Sequence, residues 1–270
     1  MNYYGRLVEK GVGVKRHNIQ LPPTCNNALD QDEAFFYLKN GEHKEKILFH
    51  EYEKIYNIPG LYEQLFYDRL KCNSPKRTTD VLQQTLNVYK EHFSEMRILD
   101  FGAGNGMMGE ELKKIGVARL VGVDILKEAK QATDRDRPGI YDEYYVKDFT
   151  QLSESDREEI KSWNLNALTT VAALGFGDIP PLAFIEALNL IEEKGWVAFN
   201  IKDTFLYNTD ETGFSKLIRE LIFSKYLNIN HLERYRHRYS INGKPLYYFS
   251  VVCWKKENIP ENFLERFTDN

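Results

Sequence analysis

Cysteine is scarce in this sequence: three in 270 residues, Cys25, Cys72 and Cys253, far apart. Such a set builds neither a disulfide framework nor a Cys-x-x-Cys metal pair within one chain. Long apolar runs are missing too. Without a stretch of about 20 apolar residues, no membrane helix is expected. The opening Met1-Asn2-Tyr3-Tyr4-Gly5-Arg6 has no apolar core of the kind signal peptides carry. Neither sign of charge dominates: 36 Lys and Arg face 40 Asp and Glu, for a formal net charge of -4. That balance gives no basic bias toward nucleic acid and no acidic tail. No Gly-x-x-x-x-Gly-Lys-Ser/Thr loop is present, which argues against a nucleoside triphosphatase. No His, Cys and carboxylate cluster has metal-ligand spacing, so no metal is expected. A reducing, cytoplasmic home is the simple inference. What is there is 42% hydrophobic and 28% charged, a globular composition with enough apolar residues for a sizeable core.

From Arg97 onward, apolar strand patterns alternate with helical ones. Arg97 to Phe101 reads as a strand running into a glycine-rich turn, and Met107 to Ile115 as a helix. Ala118 to Val123 is a second apolar run, ending in Asp124, and Lys127 to Thr133 a short helix. Tyr144 to Val146 follows as a third strand, then a polar helix from Ser153 to about Trp163. Ala167 to Leu174 and Trp196 to Ile201 are the fourth and fifth strands, with the Pro181 to Ile191 helix between them. This alternation indicates βαβ units and a parallel sheet with helices on both faces. After a helical pattern over Gly213 to Phe223, Leu227 to Ser240 and Leu246 to Lys255 flank Asn242-Gly243, a hairpin signal.

About 95 residues precede the first of these strands. Ser74-Pro75 reads as a helix start, with Ser as N-cap and Pro in the first turn. Val81, Leu82, Leu86, Tyr89 and Phe93 follow at helical spacing. Upstream, Leu48 to Leu70 is dense in aromatic residues. Without a low-complexity linker, this region is expected to pack on the main domain.

The most informative segment is Asp100-Phe101-Gly102-Ala103-Gly104-Asn105-Gly106. Glycines between a strand and a helix let the backbone turn sharply and come close to a ligand. They also suit a tight turn that binds nothing. Met107 stands where a dinucleotide fingerprint has its last glycine, which weakens a nicotinamide reading. Asp124 ends the next strand, where a carboxylate can accept from both hydroxyls of a ribose or cap the following helix. Asp148 follows the third strand and can accept from an exocyclic amine or stand solvated in a loop.

Ile98 to Gly106 resembles motif I of the class I S-adenosylmethionine-dependent methyltransferases. Val121-Gly122-Val123-Asp124 is similar to their second motif, and Lys147-Asp148-Phe149 to their third. Leu174 to Pro180 sits where the fourth lies, and Glu193-Lys194-Gly195-Trp196 resembles the turn before their fifth strand. The match runs from about Arg97 to Lys255. It implies an α/β, Rossmann-like, seven-stranded, mostly parallel sheet with helices on both faces and one antiparallel strand from the C-terminal hairpin. It implies S-adenosyl-L-methionine as cofactor. Gly102, Ala103, Gly104 and Gly106 would pass its methionine portion, and Asp100 would orient its ammonium directly or through water. Asp124 would hold the ribose hydroxyls with Ile125 beside it, Asp148 the adenine amine with Phe149 nearby, and Leu174 and Gly175 would line the sulfonium region.

In many small-molecule members a Tyr-containing helix covers the cofactor, and Tyr67-Asp68-Arg69 resembles it. Tyr67 and Arg69 are therefore cofactor candidates, although aromatics at this spacing also build cores. On this reading residues 1–73 form a lid or substrate cap and residues 74–270 the methyltransferase domain. Catalytic residues are not identified. Tyr67 and His50 are the candidates, the latter because an aromatic segment follows it. If Arg234, Arg236 and Arg238 lie on one strand they share a face, either to bind an anion or as the solvated face of an edge strand. The expected reaction is methyl transfer to a small-molecule O or N acceptor. An RNA or protein methyltransferase and a non-catalytic S-adenosylmethionine-binding regulator are the alternatives. Neither a membrane nor a nucleic acid is the expected partner.

Overall fold

A computed structural model describes residues 14–23, 33–174, 178–206 and 213–267. The N-terminal part holds β1 (Asn18–Gln20), β2 (Phe35–Asn40) and β3 (His43–Leu48), then α1 (Tyr52–Asn57) and a π-helical turn over Glu63–Arg69. Helix α2 (Ser74–Tyr89) leads into β4 (Arg97–Phe101), α3 (Met107–Lys114), β5 (Arg119–Asp124) and α4 (Lys127–Asp136). The chain continues through β6 (Glu143–Val146), α5 (Glu154–Lys161), β7 (Ala167–Thr170), α6 (Pro181–Leu190) and β8 (Trp196–Lys202). It closes with α7 (Gly213–Phe223), β9 (Leu227–Tyr239) and β10 (Pro245–Lys255).

Seven strands form one sheet in the order β6-β5-β4-β7-β8-β10-β9. Strands β4 to β8 are parallel, and β10 runs antiparallel between β8 and β9. This is the expected Rossmann-like architecture. Strand alternation sends Ile98, Leu120 and Ala198 to one face, against Val81, Leu82 and Leu86 of α2 and Leu112 of α3. Leu99, Val121, Leu168 and Val197 go to the other, against α5, α6 and α7. Strand order reverses between β4 and β7, and both leave the same carboxyl edge, where α/β sheets open a crevice. Among the described residues no helix is long and apolar enough to cross a membrane.

Four local expectations need correction. The fourth strand ends at Thr170 rather than Leu174. Ala172 adopts φ +59°, and its N–H bonds the Asn200 side chain at 2.7 Å, so the chain leaves the ladder there. Ser74 is not the N-cap of α2. Asn73 holds that position, and the Ser74 hydroxyl is buried against Tyr235 and His237 instead. The same helix stops at Tyr89, where Lys90 turns left-handed at φ +59°, so Phe93 belongs to a separate short turn. Finally, Arg234, Arg236 and Arg238 do not share one face. Arg236 pairs with Tyr247 and Arg238 with Leu246, leaving His237 as the extra residue of a β-bulge. A bulge bends the strand and breaks its alternation. Arg234 stays exposed while Arg238 is buried. Nor is this end of β9 an open edge: its backbone bonds Leu70 and Asn73 at 2.7 and 2.9 Å.

The N-terminal strands form a separate three-stranded antiparallel sheet, which the sequence analysis did not anticipate. Its β2–β3 hairpin turns through Gly41 at φ +63°, a conformation that glycine adopts without a Cβ clash. Phe36 and Ile47 point inward and pack with Phe49, Ile55 and Leu65. On the outer face Lys44 and Lys46 lie over Tyr37 and Phe35 at 3.7 and 4.2 Å. Met107 of α3 joins this cluster, so the small core is continuous with the large domain.

Candidate functional site

A cavity of about 310 Å³ opens at the carboxyl edge of β4, β5 and β7. Its floor is the glycine turn. Gly102 and Ala103 both donate to the Val123 carbonyl at 2.9 Å, which folds the turn back over β5. The Gly104 carbonyl is held from behind by Tyr144 Oη at 2.7 Å and Thr133 Oγ1 at 2.9 Å. Gly102 and Gly104 have φ +71° and +53°, and space is as restrictive as conformation. A Cβ on Gly104 would lie 2.6 Å from Tyr56 Oη, and one on Gly102 would lie 2.9 Å from Ala173 Cβ.

Asp124 stands across from this turn. Its Oδ2 accepts the Gly104 N–H at 2.9 Å and its Oδ1 the Leu126 N–H at 3.0 Å. A carboxylate offers about four lone-pair sites, so two backbone donors fix its orientation and leave capacity toward the cavity. Burial raises its pKa, opposed by those backbone bonds. Asp148 also lines the cavity, set by the Thr150 N–H and hydroxyl at 2.8 and 2.7 Å, and those bonds lower its pKa. Phe149 turns its ring into the core against Phe101, centroids 4.8 Å apart, so it presents backbone to the cavity. Ile125 forms the rim and is 61% exposed.

Tyr52 and Tyr56 of α1, with Tyr62 and Tyr67 around the π-helical turn, form the aromatic roof. They pack in series: Tyr52 is stacked on Tyr56 at 5.9 Å, and Tyr56 to Tyr62 at 5.2 Å and Tyr62 to Tyr67 at 6.1 Å are tilted. His50 enters from the same segment, its Nδ1 3.1 Å from Asp178 Oδ1. Both border the cavity.

Several candidates lie elsewhere. Asp100 does not line the cavity. It is buried behind the turn, with Tyr141 Oη donating to one oxygen at 2.6 Å and Thr169 Oγ1 to the other at 2.8 Å. Burial raises its pKa to about 6. Gly106, at φ +84°, is packed toward Arg137, Ile140 and Thr133 and is likewise not part of the lining. Arg69 is exposed at the end of the π-helical turn, facing away from the cavity that Tyr67 lines. Leu174 lines a smaller adjoining arm. Gly175 lies outside the described residues. Tyr52, Tyr56 and Asp178 line the cavity without having been singled out from the sequence. The two tyrosines had a signal in the aromatic density of Leu48 to Leu70, and Asp178 in its place in the segment after the fourth strand.

No protein-family model matches the chain, and no curated protein matches it. Solved structures do. NodS, an N-methyltransferase from Bradyrhizobium japonicum WM9 solved with S-adenosyl-L-homocysteine, is 13% identical, covering 77% of this chain and 98% of its own, with a TM-score of 0.53. Magnesium protoporphyrin IX methyltransferase (ChlM) from Synechocystis PCC 6803 is 12% identical over 67% of this chain and 79% of its own, TM-score 0.47. A SAM-dependent methyltransferase from Methanosarcina mazei is 16% identical over 63% of this chain and 97% of its own, TM-score 0.47. In sheet order, hairpin closure and overall superposition on NodS, the chain has the fold of a class I S-adenosylmethionine-dependent methyltransferase.

Proposed function

We propose that this protein is an S-adenosylmethionine-dependent methyltransferase acting on an O or N atom of a small molecule. The observation that carries the reading is the pairing of Gly104 and Asp124 in the cavity lining, 2.9 Å from N–H to carboxylate. A bare backbone and an oriented carboxylate meet there, beside an aromatic roof. The site's chemistry fits the ligand. Three cavity carboxylates, Asp124, Asp148 and Asp178, and four tyrosine rings suit a ribose, an amine and a cation. Lys147 also borders the cavity, but its ammonium is held by Asp156 at 2.6 Å.

When bound, S-adenosylmethionine supplies an electrophilic methyl group on a sulfonium. Asp124 holds the ribose hydroxyls, and Asp148 with the Phe149 backbone holds the adenine edge. Gly102 to Gly104 pass the methionine portion. Asp100 serves behind the turn, tying β4 to Thr169 of β7 and to Tyr141. The described residues before Ser74 act as the lid, Tyr52, Tyr56, Tyr62 and Tyr67 excluding water from above. His50 accepts the proton of an acceptor hydroxyl or ammonium. Asp178 engages its Nδ1 and orients the ring. A small acceptor is favoured over RNA because the arginine strand is turned to internal use: Arg238 is buried, and Arg234 is paired with Asp203 at 2.9 Å.

Titration with S-adenosyl-L-homocysteine, and separately with NADH, tests the reading. Saturable one-to-one binding of the first and none of the second supports it. Binding of NADH alone refutes it.

A further inference from the structure

The cavity has a side arm of about 50 Å³ beyond His50 and Asp178. His50, Tyr52, Tyr62, Ala172 and Asp178 border both spaces, so the arm adjoins the cavity along these residues. At its wall stands Arg238, which the β-bulge at His237 turns inward. Arg238 is only 6% exposed, and its guanidinium lies 5.4 Å from the Phe49 ring centroid. Its one hydrogen bond among the described residues is from Nη1 to the Tyr239 carbonyl at 3.1 Å. No carboxylate among them is within ion-pair distance. Asp178, which borders the arm, bonds His50 instead. A buried guanidinium without a counter-charge is costly and calls for an anion.

The neighbouring His237 is set as a second donor. The Ala172 N–H fixes the Asn200 amide, donating to Oδ1 at 2.7 Å, so Asn200 Nδ2 donates to Tyr235 Oη at 2.8 Å. Tyr235 then donates to Ser74 Oγ at 2.6 Å, and Ser74 donates to His237 Nδ1 at 2.5 Å. This is the polarity in which every hydrogen of the buried chain has an acceptor. It leaves the His237 proton on Nε2. Burial, with Arg238 beside it, lowers the pKa of the ring, which keeps it neutral. The arm therefore sets the Arg238 charge and the neutral His237 ring against an aromatic wall, with Asp178 held by His50 where the arm and the main cavity share their lining.

Resting on the methyltransferase reading, we infer that the methyl acceptor carries a carboxylate, gripped by Arg238 and assisted by His237 Nε2–H, while a different nucleophilic atom of the same molecule faces His50. A single buried cation matches a monoanion, and the planar guanidinium fork matches a carboxylate. A phosphate dianion would leave one charge uncompensated. The carboxylate is a handle, and the arm is too small to hold more than such an end group.

The probes are phenylacetate, phenylacetamide and phenyl phosphate, titrated calorimetrically into the full-length protein with and without saturating S-adenosyl-L-homocysteine. Phenylacetate is expected to bind at least ten-fold more tightly than the amide of the same shape. Arg238→Gln is expected to abolish that preference, with S-adenosyl-L-homocysteine titration of the variant reporting whether its donor site is intact. The amide comparison uses wild-type protein, so it decides even if the variant fails to fold. Equal binding of acid and amide, tighter binding of phenyl phosphate, or no binding of phenylacetate overturns the carboxylate assignment. Failure of S-adenosyl-L-homocysteine to bind while Arg238-dependent phenylacetate binding persists overturns the donor reading alone. Imidazole ¹⁵N shifts give an independent check: a protonated Nδ1 on His237 would contradict the second donor.

Discussion

Glu63 and Arg137 form a buried ion pair, Oε1 to Nη1 at 2.7 Å, that joins the roof of the cavity to its floor. Glu63 opens the π-helical turn, and the same oxygen accepts the Asn105 side chain from the glycine turn at 2.7 Å. Arg137, directly after α4, also bonds the Asn105 carbonyl at 3.0 Å and Glu110 at 3.1 Å. Three segments distant in sequence thus meet on one carboxylate. Removing the Glu63 charge leaves Arg137 paired with Glu110 alone. Glu63→Gln is therefore expected to lower unfolding free energy by about 1.5–3 kcal/mol, the worth of a hydrogen bond to a charged group. Urea denaturation checks this. A loss below about 1 kcal/mol, the range of an exposed pair, would contradict it.

Gly104→Ala combines two penalties, a left-handed backbone and a Cβ placed 2.6 Å from Tyr56 Oη. The backbone alone costs about 1–2 kcal/mol. Adding Tyr56→Phe removes the hydroxyl but not the backbone conformation. The double variant is expected to recover part of the stability lost, measured by thermal unfolding. Full recovery would mean that conformation is irrelevant at this position.

Asp100 makes stability depend on pH in a defined direction. Its pKa is about 6 in the fold against an ordinary 3.8. Between those values the native state binds more protons than the unfolded one, so this group's contribution falls as pH rises from about 4 to 6. Spread over that window the effect is at most about 3 kcal/mol. Asp100→Asn removes the titration. Its stability relative to wild type is expected to rise between pH 4 and 7 in paired urea denaturations, and a constant difference would refute the assignment.

The fold was largely legible because each parallel strand is a short apolar run ended by punctuation: Gly102 after β4, Asp124 at the end of β5, Asp148 after β6. Those are the residues that meet the cavity, since strand ends share one edge of the sheet. What was not legible depends on tertiary geometry. Nothing local to His50 announces Asp178, 128 positions away. The bulge that buries Arg238 arises from pairing β9 with β10 and with Leu70 and Asn73, so alternation alone placed three arginines on one face. The β2–β3 hairpin carried a readable sign, Asn40-Gly41, but one of its faces pairs lysine ammonium groups with aromatic rings, so it does not read as a plain apolar-polar alternation. Asp100 and Asp124 looked alike as strand-end acids. One lies behind the turn with both oxygens engaged by side chains, the other in front of it.

The central claim is that Asp124 and the glycine turn make a donor site. The most direct measurement is calorimetric titration of wild-type and Asp124→Ala proteins with S-adenosyl-L-homocysteine, after any copurified ligand has been removed. Wild type is expected to bind, and the variant to lose about 1.5–3 kcal/mol of binding free energy, the worth of hydrogen bonds to a charged group. Equal affinity of the two proteins, or no binding by folded, ligand-free wild type, would contradict the account.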